Sequence, residues 1–182
     1  TRDFQFWRPS FDYRYNLADN FRLRGTVRRN VSQLSFSAFA ATTNDEDRDI
    51  DGFAGNPELE PETSWSYQGE LEYRMPKDAG VLATSVFYSE IDNKIGRINA
   101  TTDPERPISA TGNVGRAKQY GWSTRASLRM NQFNLPNAIV SGRIGLFDSE
   151  ILDPFINQEV RTGGRGFANL NFRQDIISSS LS

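Results

Sequence analysis

The chain has 182 residues, enough for one sizeable domain, and its 21 Lys and Arg against 23 Asp and Glu leave a net charge of −2. So even a balance gives no reason to expect nucleic acid or an acidic substrate as a partner. Cysteine and histidine are both absent, which removes disulfides, thiolate and imidazole catalysis and the usual zinc ligands.

From Ser10 the residues alternate, with Phe11, Tyr13, Tyr15 and Leu17 on one face and Asp12, Arg14 and Asn16 on the other. Period two predicts a strand. The pattern resumes at Phe21, where Leu23, Gly25 and Val27 oppose Arg22, Arg24, Thr26 and Arg28, and Ala18 to Asn20 leave room only for a tight turn. Ser64 to Met75 sets Trp65, Tyr67, Leu71 and Tyr73 against Gln68, Glu70, Glu72 and Arg74. Val81 to Ile95 is mixed: Phe87, Ile91 and Ile95 oppose Glu90, Asp92 and Lys94, yet Leu82 and Val86 fall on the second face. Gln119 to Met130 alternates Tyr120, Trp122, Ala126 and Leu128 with Ser123, Arg125 and Arg129, and shorter strands are predicted over Ala138 to Leu146 and Phe167 to Arg173. No segment has the period of a long amphipathic helix.

The predicted connections alternate short and long. Ala18 to Asn20, Pro76 to Gly80, Asn131 to Asn137 and a turn near Gln174 are short, whereas Ala40 to Thr63, Asn99 to Lys118 and Glu150 to Gly164 are long. Antiparallel neighbours joined this way collect the tight turns at one end of a sheet, as in outer-membrane barrels with short periplasmic turns and long extracellular loops. No apolar run approaches the ~20 residues of a spanning helix, but a barrel hides its hydrophobicity in alternation. A soluble β-sandwich or lipocalin-like barrel would alternate too. Strand length, aromatic residues near strand ends and a polar face rich in both charge signs favour an all-β, antiparallel up-and-down transmembrane barrel segment of about seven or eight strands.

Gly55 to Tyr73, GNPELEPETSWSYQGELEY, resembles the barrel of a TonB-dependent outer-membrane receptor, in which an Asn-Pro-x-Leu-x-Pro-Glu-Thr loop enters a strand ending in Leu-Glu-Tyr. LRGTVRR from Leu23, VFYSEIDNKI from Val86 and NVGRAKQYG from Asn113 are similar to neighbouring segments of that family, in the same order. The resemblance implies a barrel of about 22 strands, a plug domain, energy from TonB, an outer-membrane location in a Gram-negative bacterium and a small-molecule ligand such as a siderophore, cobalamin or carbohydrate. On that basis residues 1–182 are expected to be an internal part of a receptor barrel, with the plug and the remaining strands absent. A soluble β-sandwich binding carbohydrate and a small passive outer-membrane barrel are the alternatives.

Ligand contacts are expected from Arg22, Arg24 and Arg28 on the polar face and from Arg97, Arg106, Arg116 and Phe155 toward the long loops. Glu70 and Glu72 share a face with Arg74 and are expected to form a lumen ladder rather than a catalytic pair, and no enzyme activity or cofactor is expected. Asp47, Asp49, Asp51 and Glu58, with Gly52 at the turn position, match the ligand pattern of a calcium loop. No helical pattern precedes them and Pro57 stands where a second helix would start, so a hydrated acidic loop is the simpler expectation, with a helix-free calcium loop as the alternative. The glycines of Arg161 to Gly166 lack the spacing of a phosphate cradle and are expected to be loop.

Overall fold

A computed structural model describes residues 5–34, 52–54, 56, 58–99, 108–153, 156 and 158–175. They form one sheet of nine strands: β1 (Ser10–Ala18), β2 (Phe21–Val31), β3 (Gly52–Ala54), β4 (Thr63–Arg74), β5 (Gly80–Asn99), β6 (Ile108–Arg129), β7 (Ala138–Asp153), β8 (Gln158–Arg161) and β9 (Arg165–Gln174). The main order is β1-β2-β4-β5-β6-β7, with β8 and β9 both along the far side of β7. All neighbours are antiparallel except β3, which runs parallel to β6 at Ile108 to Ala110. The sheet does not close on itself among the described residues.

Three of the predicted short turns lie at one end, and the fourth, expected near Gln174, falls outside the described residues. Asp19 and Asn20 join β1 to β2. A 3-10 turn at Pro76–Asp78 joins β4 to β5, with Lys77 at φ 56° and Asp78 at φ 58°. Another at Met130–Phe133 joins β6 to β7 and ends on Asn134 in the left-handed region. Two of these turns are tied together, because Arg129 donates its backbone N–H to Ala79 O at 2.8 Å and its guanidinium lies 2.6 Å from Asp78 Oδ2.

The other end departs from expectation. Asn99 to Lys118 is not one long loop: β5 runs 20 residues to Asn99 and β6 runs 22 from Ile108, paired as far as Asn99 with Ser109. Register shifts between Ile91 and Ile95 mark a bulge, where Asn93 takes φ 54° and Gly115 opposite takes φ 111°. A bulge flips the side-chain phase, so the alternation below it does not carry through. Glu150 to Gly164 is likewise mostly paired, with β7 reaching Asp153 and β8 folding back on it. Between the pairs Glu150–Arg161 and Phe147–Arg165 the returning chain has one residue more than β7, and Gly163 at φ 107° absorbs the excess. RTGGRG is therefore a β-bulge between two strands.

Register also settles the mixed strand β5. Leu82 pairs with Tyr73, Val86 with Gly69 and Trp122, and Tyr88 with Tyr67 and Tyr120, so these belong to the apolar face. Phe87 pairs with Gln68 and lies on the charged face, contrary to its predicted side.

Candidate functional site

The two faces of the sheet differ sharply. On one, Phe11, Tyr13, Tyr15, Leu17, Val86, Leu146, Leu170 and Phe172 are all more than two-fifths exposed, and no second layer covers them among the described residues. Soluble proteins rarely leave so contiguous an apolar surface bare. The alternation that a sandwich would need for its core here faces outward.

The apolar face has an upper boundary. Tyr67, Tyr88 and Tyr120 form one cross-strand row, and the tyrosines of β5 and β6 direct their hydroxyls toward the long-loop end, onto Glu90 and Glu150 at 2.9 Å each. Immediately beyond stand Lys118, paired with Glu159 at 2.9 Å, and Arg161, paired with Asp148. Those hydrogen bonds raise both the Lys118 and the Arg161 pKa, so both stay cationic. From the tyrosine row down to Gly80 is eight residues of β5, or about 26 Å of strand and ~20 Å along the membrane normal at the usual barrel tilt, close to the ~25 Å apolar band of outer-membrane barrels. Aromatic rings with polar tips at that level are what a lipid–water interface selects.

The opposite face is charged. Glu70 is 7% exposed and accepts from Arg125 at 2.8 Å, with Arg24 at 3.8 Å on its other oxygen. Glu72 takes Arg74 at 2.9 Å and Arg22 at 3.8 Å. Arg28 reaches Ser10 at 3.4 Å. The two glutamates form the expected ladder, each held by arginine, an arrangement without a free general acid or base. Phe87, Phe147 and Phe167 add an aromatic strip over Gly121 and Gly145, where a Cβ would meet ring or backbone atoms at 2.6–2.8 Å. Arg143 lies 5.2 Å from the centre of the Phe167 ring, within cation–π range. A groove of about 550 Å3 runs past Gly121, but Trp122 and Leu146 line it from the apolar face and Phe87 from the charged face. It is a thin place in the wall rather than a chamber.

At the base of the long connection between β2 and β4, the Asn-Pro-Glu-Leu-Glu-Pro-Glu-Thr segment is clasped to the β5 bulge. Asn113 accepts from Glu60 N at 2.9 Å and donates to Glu60 O at 2.9 Å and Asn93 O at 2.8 Å. Asn93 donates to Glu60 Oε2 at 2.8 Å, and Glu62 Oε1 accepts from Lys94 Nζ at 2.7 Å and Ile95 N at 2.6 Å. Leu59, immediately before Glu60, is fully buried, and Ile91 on β5 and Val114 and Ala117 on β6 are buried as well. The motif thus fixes where the loop leaves the wall.

The structure brings Arg22, Arg24 and Arg28 together on the charged face. It places Arg97 high on β5 opposite Thr111, and Arg116 on β6, 3.6 Å from Asp92 and largely exposed. Arg106 and Phe155 lie outside the described residues, as do Asp47, Asp49 and Asp51. Glu58 has its backbone N–H on Asn56 Oδ1 at 2.9 Å, in a turn that leads to β4 rather than to a helix. Periodicity missed Asn93, Asn113 and the phenylalanine strip. The signals for them were a lone Asn at each strand interruption and Gly121 and Gly145 within strands, where glycine marks close approach.

The profile of the family described as "TonB dependent receptor-like, beta-barrel" matches residues 1–171. No curated protein sequence matches the chain. Among solved structures, the siderophore receptor PirA from Pseudomonas aeruginosa is 15% identical, with a TM-score of 0.62 over 95% of this chain and 37% of its own. PirA from Acinetobacter baumannii is 14% identical, with a TM-score of 0.56 over 95% of this chain and 35% of its own. A mutant ferric enterobactin receptor, PfeA from Pseudomonas aeruginosa, in complex with enterobactin, is 16% identical, with a TM-score of 0.60 over 82% of this chain and 26% of its own. Such identities establish the fold, and the chain spans between about a quarter and two-fifths of these receptors. With the profile running almost end to end over a one-layer sheet of the same architecture, the chain belongs to the TonB-dependent receptor family, as part of its β-barrel.

Proposed function

We propose that these residues form part of the wall of an outer-membrane barrel in a Gram-negative bacterium, within a receptor that takes up a scarce ligand using energy from TonB. The bare apolar face carries this reading, because a sheet with one uncovered apolar side and one charged side suits a wall between lipid and a wet lumen. Contact with TonB would pass through a domain outside this sequence. Of the three ligand classes, siderophore, cobalamin and carbohydrate, the arginine excess on the inner face favours an anionic one by steering, which puts ferric siderophores first. Arg22, Arg24 and Arg28 would act within the lumen, and Arg97, Arg106, Arg116 and Phe155 nearer the loops. Asp47, Asp49, Asp51 and Glu58 are read as a hydrated acidic connection, with calcium as the alternative for titration.

The test uses the full-length receptor in iron-limited cells given a radioiron-labelled ferric catecholate. Accumulation that stops when TonB is removed supports the reading. Equal accumulation without TonB would indicate a passive pore, and recovery of the receptor in the soluble fraction would remove the membrane assignment.

A further inference from the structure

Two of the long connections meet at β6. Ile108 to Ala110 carry β3, from the connection between β2 and β4, on one edge, and on the other they carry β5, with Ala110 opposite Ile98 and Ser109 opposite Asn99. β4 lies beyond β5. Residues 55–62, which link β3 to β4, must therefore cross the whole β5–β6 hairpin, three strand spacings or about 14 Å. The crossing is fastened to each strand in turn. Glu60 is bound through its backbone to Asn113 of β6 and through its carboxylate to Asn93 of β5, and Glu62 holds Lys94 and Ile95 of β5. Glu62 O then accepts from Ser32 N at 2.9 Å, just past the end of β2.

We propose that the segment between β3 and β4 is a strap that couples the β2–β4 connection to the β5–β6 hairpin, so that displacing either carries the other. The hairpin's upper part has little else to brace it. β7 pairs with β6 only from Ala117 downward, so above that level the free edge of β6 meets only β3 among the described residues. β3 in turn depends on the clasp, because its three residues fall short of the ~5–6 of an ordinary strand. Leu59 is fully buried and Pro61 is buried on the other side of Glu60. A turn closed by Leu59 N on Asn56 O at 3.2 Å and Glu58 N on Asn56 Oδ1 at 2.9 Å takes up the slack between β3 and the clasp. Segments joined through one hydrogen-bond network open and close as a cooperative unit. The inference needs the sheet and its clasp alone, and goes beyond the transport reading without resting on a particular ligand.

The experiment reads amide hydrogen exchange in the full-length receptor in lipid, with and without Asn113→Ala, which removes both bonds to Glu60 and the one to Asn93. Exchange is expected to quicken together at Gly52 to Ala54, at Glu58 to Glu62 and in both arms of the hairpin, Ile95 to Asn99 and Ile108 to Gly112, while Gln68 to Tyr73 of β4 stays slow. Glu62→Gln, which keeps the shape and loses the charge, is expected to give the same pattern more weakly and serves where Asn113→Ala loosens β4 as well. The proposal is overturned if the strap loosens while the hairpin arms keep their protection, or if none of these segments changes. A cysteine pair tests the far fastening directly. Ala54 and Ala110 are in register, within disulfide reach for neighbouring strands, and residues 1–182 contain no cysteine. Ala54→Cys with Ala110→Cys is expected to close under mild oxidant; failure to close, both there and at Phe53→Cys with Ser109→Cys, equally overturns the proposal. Neither readout involves uptake, so a receptor that fails the transport test above leaves this inference standing, and the reverse holds too.

Discussion

Asn113 shows how much of a wall can hang on one amide. Its side chain satisfies the N–H and C=O of Glu60 and the C=O of Asn93, three backbone groups at a strand irregularity where no ladder is available to them. The two bonds to Glu60 are exposed and the one to Asn93 is half-buried, and each such bond contributes about 0.5–1.5 kcal/mol net. Asn113→Ala in the full-length receptor is therefore expected to lose about 2–3 kcal/mol in denaturant unfolding, with Asn113→Asp intermediate because it keeps the acceptor and loses both donated bonds. A loss below about 0.5 kcal/mol, the usual effect of an ordinary surface change, would show that the clasp does not anchor the loop. The sequence held little sign of this residue. Asparagine is common in turns for its own local hydrogen bonds, and nothing in NVG distinguishes an amide reaching a chain 53 residues away. The Glu70 and Glu72 ladder was legible because carboxylates and arginines alternate on one face of β4 and its neighbour β2.

Strands were legible where the two environments differ most. In β1, β2 and β4 the apolar residues fall on the uncovered face and the charges on the other, apart from Ala18 at the end of β1 and Arg29, which pairs with Trp65 near the top of β2, so period two is nearly unbroken. In β5 the signal blurs because Ala83 is buried and Phe87 joins the strip on the charged face, while Thr84 sits among the apolar residues. The upper hairpins were hidden for a different reason. At Asn93 and Gly115 the pairing slips, and a reader following one phase loses the strand beyond the bulge. A pair of substitutions on β4 separates the two faces. Leu71, in the middle row of the apolar face, is 37% exposed, and Leu71→Arg is expected to cost about 2–4 kcal/mol as for arginine at a bilayer midplane. Gln68, three residues away on the charged face beside Phe87, should accept arginine with a change within about 0.5 kcal/mol. Denaturant unfolding of both variants in lipid checks the contrast, and equal costs would contradict the assignment of faces.

At the scale of the molecule, the open sheet and the exposed face both fit the proposed reading of these residues as a portion of a barrel wall. An edge strand in lipid leaves a row of unpaired N–H and C=O groups, each costing several kcal/mol, so β1 and β9 need further strands for closure. Most of the burial among the described residues lies at the upper hairpin and loop base, at Leu59, Ile91, Ala110, Val114 and Ala117. The middle of the wall has almost no core because lipid and lumen contents would take that role. Nitroxide scanning from Val81 to Tyr88 in the full-length receptor, reconstituted in bilayers, tests this most directly by comparing collisions with oxygen and with a water-soluble nickel chelate. Oxygen contact peaking at Leu82, Thr84, Val86 and Tyr88, with nickel contact or burial at the residues between, is the expected result; loss of the alternation, or its inversion, would contradict a lipid-facing wall.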